Sequence, residues 1–322
     1  AAYYALRILK DHGFKLKHNI QCIFGTDEEN LWRCLEKYNE KEEGITQGFA
    51  PDAEFPLIYA EKGLLQAYLT GPGTNDFSVK AGGALNVVPD AAPYSGEKIS
   101  EVKEALKKHG FDFEEQGEGI VVLGKSIHAK DAAQGVNAIS RLAIALSEVF
   151  DFGPINFLGK LVQENATGEA VVGKTEDEQS GELTMNFASL EITPEQTKIG
   201  VDMRIPVTFK KEDLVAKLTK TVEKYELSYE EFDFLDSLYV PLDSELVKNL
   251  LGTYREITGD MTEPFVSGGA TFARTMNQCV AFGAMFPDTP DFMHQANERW
   301  ELSSMYKAME IYAEAVYRLC AK

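Results

Sequence analysis

A chain of 322 residues with 44 % hydrophobic content is long enough for two cores and apolar enough to fill them. Its 51 acids outnumber its 32 bases, giving a net charge of -19, and no basic run exceeds a few residues, which argues against a surface for nucleic-acid phosphates. No apolar stretch reaches the length of a bilayer span and no secretory apolar region is found; Cys22, Cys34, Cys279 and Cys320 lack C-x-x-C spacing and are expected as reduced thiols of a cytoplasmic protein.

The predicted elements open with an amphipathic helix over 2–11, in which Leu6, Ile8 and Leu9 are spaced for burial and Gly13 is placed to end it. A strand over 19–24, an acidic loop over 25–29 and a helix over 30–38 follow. Helix alternating with apolar strand marks an α/β layer, whose chemistry collects at the carboxyl ends of the strands. Glu28 and Glu29 fall there, and two meanings fit them. Acids favour a first helical turn and can cap the helix that follows. Alternatively, successive residues leaving a strand point to different sides, so one carboxylate can hold a divalent cation while its neighbour takes a proton from the water that the cation acidifies. A third acid, Asp52, lies in Phe49-Ala50-Pro51-Asp52-Ala53-Glu54-Phe55-Pro56.

From about Lys62 the texture changes. Half-polar strands over 64–70, 77–81 and 120–123, a charged helix near 98–109, an apolar helix near 132–149, strands over 183–192 and 198–207 and a helix over 211–225 predict an antiparallel α+β domain. The segment 168–181, rich in Gly, Glu, Asp and Thr, is expected as a mobile surface loop. His128 follows the 120–123 strand through a short loop. It is either bonded to backbone or a donor aimed at an oxygen that becomes negative during reaction. Ile199, Val201, Met203 and Ile205 alternate with a polar set, which puts Asp202 and Arg204 together on the face away from the core. A guanidinium there is either ion-paired or a forked recogniser of a carboxylate.

After about Tyr239 the α/β texture returns with a helix over 244–258, a strand over 264–267, a glycine turn and a closing helix over 302–319. Ser267-Gly268-Gly269-Ala270-Thr271 lacks the spacing and the Gly-Lys-Ser/Thr ending of a nucleotide loop; its glycines would let backbone approach a ligand closely. His294, in Asp291-Phe292-Met293-His294-Gln295-Ala296-Asn297-Glu298, is either a surface residue or a metal ligand. No repeat recurs at a solenoid period. The expected organisation is a first part of a catalytic domain at 1–61, an inserted domain at 62–239 and a second catalytic part at 240–322.

Seven segments stand in order: Gly25-Thr26-Asp27-Glu28-Glu29, Pro51-Asp52-Ala53-Glu54-Phe55-Pro56, Asn86-Val87-Val88-Pro89-Asp90, His128 with Gly135-Val136-Asn137-Ala138, Asp202-Met203-Arg204, Gly268-Gly269-Ala270-Thr271-Phe272-Ala273-Arg274, and Met293-His294-Gln295. On these the chain resembles the two-zinc dipeptidases and deacylases of the aminoacylase and carnosinase kind, and is most similar to bacterial dipeptidases of the dipeptidase V and Xaa-His dipeptidase type. The resemblance implies a zinc-peptidase-like α/β catalytic domain, with helices flanking a mostly parallel sheet, and an inserted α+β lid. It implies Glu28 as general base, Glu29 and His294 as ligands of one zinc and Asp52 as a ligand of the other, with Mn2+ or Co2+ as substitutes. His128 would serve the oxyanion, Asn86 and Arg204 the substrate's terminal carboxylate, and Gly269, Thr271 and Arg274 would be further substrate contacts. The implied reaction is hydrolysis of dipeptides or, within the same family, removal of acyl or succinyl groups from N-acyl amino acids. A monomer acting on small peptides is expected, with neither nucleic acid nor membrane as partner. The family pattern also needs a His-x-Asp pair and a bridging aspartate ahead of the first helix. None of His12, His18, His109, His128 and His294 is followed two places on by Asp. The chain therefore looks like a family member lacking its N-terminal part, and residues 1–322 alone are expected to hold zinc weakly, as a catalytically silent fragment.

Overall fold

Residues 1–28, 32–290, 292 and 297–321 are described by the computed structural model. Their contacts divide the chain into two units, residues 1–61 with 238–322 and residues 62–237.

In the first unit, Gly48–Ala50, Cys279–Ala281, Ile58–Glu61 and Leu238–Tyr239 lie side by side in that order, and Phe265–Ser267 also pairs with Ile58–Glu61. Three pairings are parallel: Gly48–Ala50 with Cys279–Ala281, Phe265–Ser267 with Ile58–Glu61, and Ala53–Glu54 with Ala284–Met285. Leu238–Tyr239 and the single bridge from Ala281 to Ile58 are antiparallel, so the arrangement is mostly parallel. Ile58–Glu61 is buried at all four positions, as a strand covered on both faces must be. The helix Leu302–Cys320 packs against both Ala2–Asp11 and Glu245–Thr258. Phe55 centres the core, stacked on Tyr254 at 5.1 Å between ring centroids and set edge-on to Phe282 at the same separation.

Two expectations change here. Residues 19–24 form no strand among the described residues. Alternating apolar residues become a strand only beside a neighbour that completes their hydrogen-bond ladder, and Phe24 instead stays 73 % exposed with its ring near Tyr3. The helix expected over 30–38 is Arg33–Lys41. It starts late because Trp32, just before it, takes a left-handed backbone (φ 54°) that no helix can include.

The second unit is an antiparallel sheet in the order Ser228–Leu235, Gly63–Pro72, Gln196–Ile205, Thr184–Ile192, Val79–Gly82, accompanied by a three-stranded antiparallel sheet in the order Ala91–Tyr94, Gly119–Leu123, Phe113–Gln116. Helices Ile99–His109, Ala138–Val149 and Lys211–Val222 bury Val102, Leu106, Leu142, Leu146, Leu214 and Leu218 in its core. A bulge between Phe187 and Ser189 turns the carbonyl of Ala188 over Gly82. With φ +78° and that oxygen 2.0 Å from where a Cβ would stand, only glycine fits at position 82.

The apolar helix expected over 132–149 is split into a 3-10 turn, Ala129–Gln134, and the helix Ala138–Val149, whose start is capped by Asn137 Oδ1 accepting from Ser140 N–H at 3.1 Å. The segment 168–181 is more than a loop. Val171 and Val172 are buried in the short helix Glu169–Val172, and Glu176–Asp177 pairs with Gly181–Glu182, because an apolar pair inside a polar stretch gives it an anchor in the core. Asp202 and Arg204 are buried rather than turned to solvent, at 0 % and 2 % exposure. The 3-10 turn packs across Thr184–Ile192 and Gln196–Ile205, and covers the face that alternation alone leaves open.

Candidate active site

In the first unit the acidic loop leads into the helix Arg33–Lys41, and Asp27 is the acid bonded to its first residue. Asp27 does the capping, since its Oδ2 accepts the Arg33 N–H at 3.2 Å and its two oxygens take the Arg33 guanidinium at 2.6 and 2.9 Å. Those bonds, most of all the side-chain one, hold its carboxyl below the usual carboxylate range. Glu28, half-buried, is fixed through its backbone, because its carbonyl accepts the Trp32 indole N–H. The indole in turn stands edge-on to Phe272 at 5.5 Å. Gly25 permits this approach, since a Cβ there would lie 2.2 Å from the Phe272 ring.

Phe272 belongs to the glycine turn, so Glu28 and the expected Gly269, Thr271 and Arg274 share one neighbourhood. Glu61, wholly buried at the end of its strand, ties that turn down. It accepts from Thr271 N–H at 3.0 Å, Thr271 Oγ1 at 2.6 Å and Arg274 Nε at 2.9 Å. Arg274 Nη2 reaches back to the Gly269 carbonyl at 2.9 Å, and Gly269 N–H donates to Ser267 Oγ at 2.9 Å. Arg274 thus acts on the turn itself, and Gly269 contributes closeness of backbone rather than a spare amide.

Asp52 is exposed just past Gly48–Ala50, and its carboxylate makes no hydrogen bond or ion pair among the described residues. Burial first, and the charge of Asp52 second, push the pKa of the Tyr312 hydroxyl up, while that hydroxyl donates to Phe282 O at 3.0 Å. Glu29 and His294 lie outside the described residues, and no three His, Cys, Asp or Glu side chains converge as a metal site among the described ones. The donor chemistry of the expected set, two carboxylates and an imidazole with Asp52 left open at a strand end, suits a divalent ion such as zinc.

The second unit brings Asn86, His128 and Arg204 together on the polar face of its sheet. Thr184 is paired with Arg204, Asn186 with Asp202 and Asp202 with Gln66 across adjacent strands, which sets these side chains on one side. Asp202 grips Arg204 Nε at 2.7 Å and Nη2 at 3.1 Å, and also accepts from Gln66 Nε2 at 2.9 Å. Above this floor Val87 bridges His128, and Ala129 N–H donates to Asn86 O at 2.8 Å. Asn86 and His128 are both exposed.

Lys130 N–H donates to His128 Nδ1 at 3.1 Å, which assigns the proton of the neutral ring to Nε2 and leaves that nitrogen a donor. Partial burial, then the charges of Arg204 and Lys130, hold the ring's pKa below its ordinary 6.5. A proton therefore binds the unfolded chain more tightly than the folded one. The contribution to stability is complete above the ordinary imidazole value and is lost as pH falls through the depressed folded one. An NMR titration of His128 is expected to show a midpoint below 6.5, and a midpoint above it would contradict the neutral-donor assignment.

Sequence reasoning passed over Glu61, Gln66, Asn137 and Asn186 as working residues. For Glu61 and Asn186 a signal existed, a polar side chain closing the run Ile58-Tyr59-Ala60-Glu61 and one set between the apolar Met185 and Phe187.

Among the described residues no helix is long and apolar enough to cross a membrane. The profile of Peptidase family M20/M25/M40 matches residues 1–318. Proteins named "Putative dipeptidase" from Staphylococcus haemolyticus and Staphylococcus epidermidis are 34 % and 35 % identical to it over 349 residues, covering 100 % of this chain and 74 % of theirs. Among solved structures, a tripeptidase from Staphylococcus aureus (14 % identity) and the aminopeptidase PepT from Bacillus cereus (16 %) each cover 98 % of this chain and 68 % of their own, with a TM-score of 0.53, a likeness of fold. The resemblance carried by the seven ordered segments is borne out at the level of the family. Matched over nearly its whole length by one profile and by relatives a third identical, the chain belongs to Peptidase family M20/M25/M40.

Proposed function

We propose that this protein is a dipeptidase in which Glu28 is the general base and Asn86, His128 and Arg204 bind the substrate. The observation that carries the proposal is the second-unit cluster, which sets a neutral N–H donor beside a guanidinium held flat by Asp202. A dipeptide asks for that combination, a donor for the carbonyl oxygen that gains charge and a fork for the terminal carboxylate. Glu28 takes the proton of the attacking water and returns it to the departing amine. Glu29, Asp52 and His294 would hold zinc, which supplies the acidity of that water. Gly269, Thr271 and Arg274 shape the wall along the peptide, with Arg274 acting through Glu61. The four free cysteines support a reducing, cytoplasmic compartment, and a monomer is proposed.

The test is a panel of dipeptides against N-acyl amino acids. Cleavage of dipeptides is expected; turnover of acyl substrates alone would replace the proposal with a deacylase. Dialysis against a chelator should remove activity at least about tenfold and added Zn2+ should restore it, since the water would otherwise lack its activator.

A further inference from the structure

We infer that Asn186 is a positioning residue for Asn86 and His128, acting with Asn137 as a buried amide clamp. The inference rests on the proposed roles of those two residues and goes beyond them to what holds them. Asn186 is 2 % exposed on the Thr184–Ile192 strand. Its Nδ2 donates to Val87 O at 2.9 Å and to Leu85 O at 3.3 Å, the carbonyls on either side of Asn86. Its Oδ1 accepts from Asn137 Nδ2 at 3.2 Å, and that Nδ2 also donates to Phe187 O at 2.9 Å. One amide thus draws residues 85–87 onto the sheet. The same segment then holds the His128 loop through the Val87 bridge, Val88 N–H to Ile127 O at 2.9 Å and Ala129 N–H to Asn86 O at 2.8 Å.

Burying an amide is unfavourable unless each of its polar atoms finds a partner, and here both donors and the oxygen do. Met185 and Phe187, its immediate strand neighbours, turn to the apolar core on the other face, whereas Asn186 stands on the polar face across from Asp202, where leucine would fill the space without meeting its polar partners. What leucine cannot do is hold two loop carbonyls. Asn137, which also caps Ala138–Val149, fixes which way the Asn186 amide is turned, because its Nδ2 must meet an oxygen and not an NH2.

Asn186→Asp keeps the shape and replaces the two donors by acceptors that repel Leu85 O and Val87 O; Asn186→Leu removes the polar atoms altogether. On the active protein each is expected to lower kcat for a dipeptide about 10- to 100-fold, since a displacement of about 1 Å in a catalytic donor costs that order. Zinc content and far-UV circular dichroism should be unchanged. Combined with Asn86→Ala and His128→Ala together, Asn186→Asp should add less than about threefold to the loss from that pair of substitutions, because a residue acting through others has nothing left to position. Hydrogen exchange at the Val88 and Ala129 amides should quicken about tenfold or more in Asn186→Asp, as their loop opens locally.

Wild-type kcat in Asn186→Asp, losses that multiply when Asn186→Asp is added to Asn86→Ala with His128→Ala, or unchanged exchange would each overturn the inference. Failure of both variants to fold would do so too, by assigning Asn186 to stability alone. If the wild-type protein cleaves no dipeptide, the proposed function falls while the exchange measurement still decides on the clamp.

Discussion

Replacing Glu28 by glutamine is expected to lower kcat on a dipeptide by about 10²- to 10⁴-fold, the range that a positioned proton carrier contributes, with KM and zinc content near wild type. Glutamine matches glutamate in size, and the local anchor is untouched because Trp32 binds the backbone carbonyl of residue 28, not its side chain. Asp27 supplies the contrast. Its carboxylate already serves the Arg33 amide and guanidinium, so Asp27→Asn, which keeps an acceptor oxygen but loses the charge facing Arg33, should lower the melting temperature slightly and leave kcat within about threefold. Were the pair merely a capping loop, both substitutions would lower the melting temperature and neither would touch kcat. Steady-state kinetics beside thermal denaturation of the two variants separates these outcomes, and a Glu28→Gln protein with kcat within about threefold of wild type would remove Glu28 as the base.

The difference between Asp27 and Glu28 shows where sequence stops being informative. Adjacent acids after an apolar run look alike until a partner is placed, and Arg33 is six residues away, beyond any short motif. Elements with strong internal period were legible. Ile199, Val201, Met203 and Ile205 announced a strand, and Gln196–Ile205 is one. Residues 19–24 had the same apolar character without a neighbouring ladder, and pattern alone cannot supply the neighbour. The cluster Asn86, His128 and Arg204 was reachable because its members lie in motifs that resemble a known family. Its supports were not, since Glu61 meets Thr271 and Arg274 more than 200 positions away and Asn186 meets Val87 across 99. Long-range polar satisfaction leaves only a faint local trace, a polar residue where an apolar one would pack. The burial of Asp202 and Arg204 was misjudged for a related reason, because alternation describes one face of a strand and is silent on what the rest of the chain lays over the other.

The pairing of Asp202 with Arg204 gives the second large effect. Arg204→Met should cost about 3–5 kcal/mol of stability in denaturant unfolding, because it leaves the Asp202 carboxylate buried beside the Gln66 amide without the guanidinium that neutralises it. It should also raise KM for dipeptides about 10- to 100-fold, the factor that corresponds to a charge-assisted hydrogen bond of about 1.5–3 kcal/mol. Stability and binding can be separated by removing both charges. In Arg204→Met with Asp202→Asn the orphan carboxylate is gone, so most of the lost stability should return, as it does when buried ion pairs give way to uncharged groups of similar volume. KM should not return, because the guanidinium proposed to meet the substrate carboxylate is still missing. Arg204→Lys sharpens the point by keeping the positive charge while losing the planar fork, so KM should stay raised with less cost to stability. If KM recovers together with stability in the double variant, Arg204 is a structural partner of Asp202 and the substrate carboxylate is bound elsewhere.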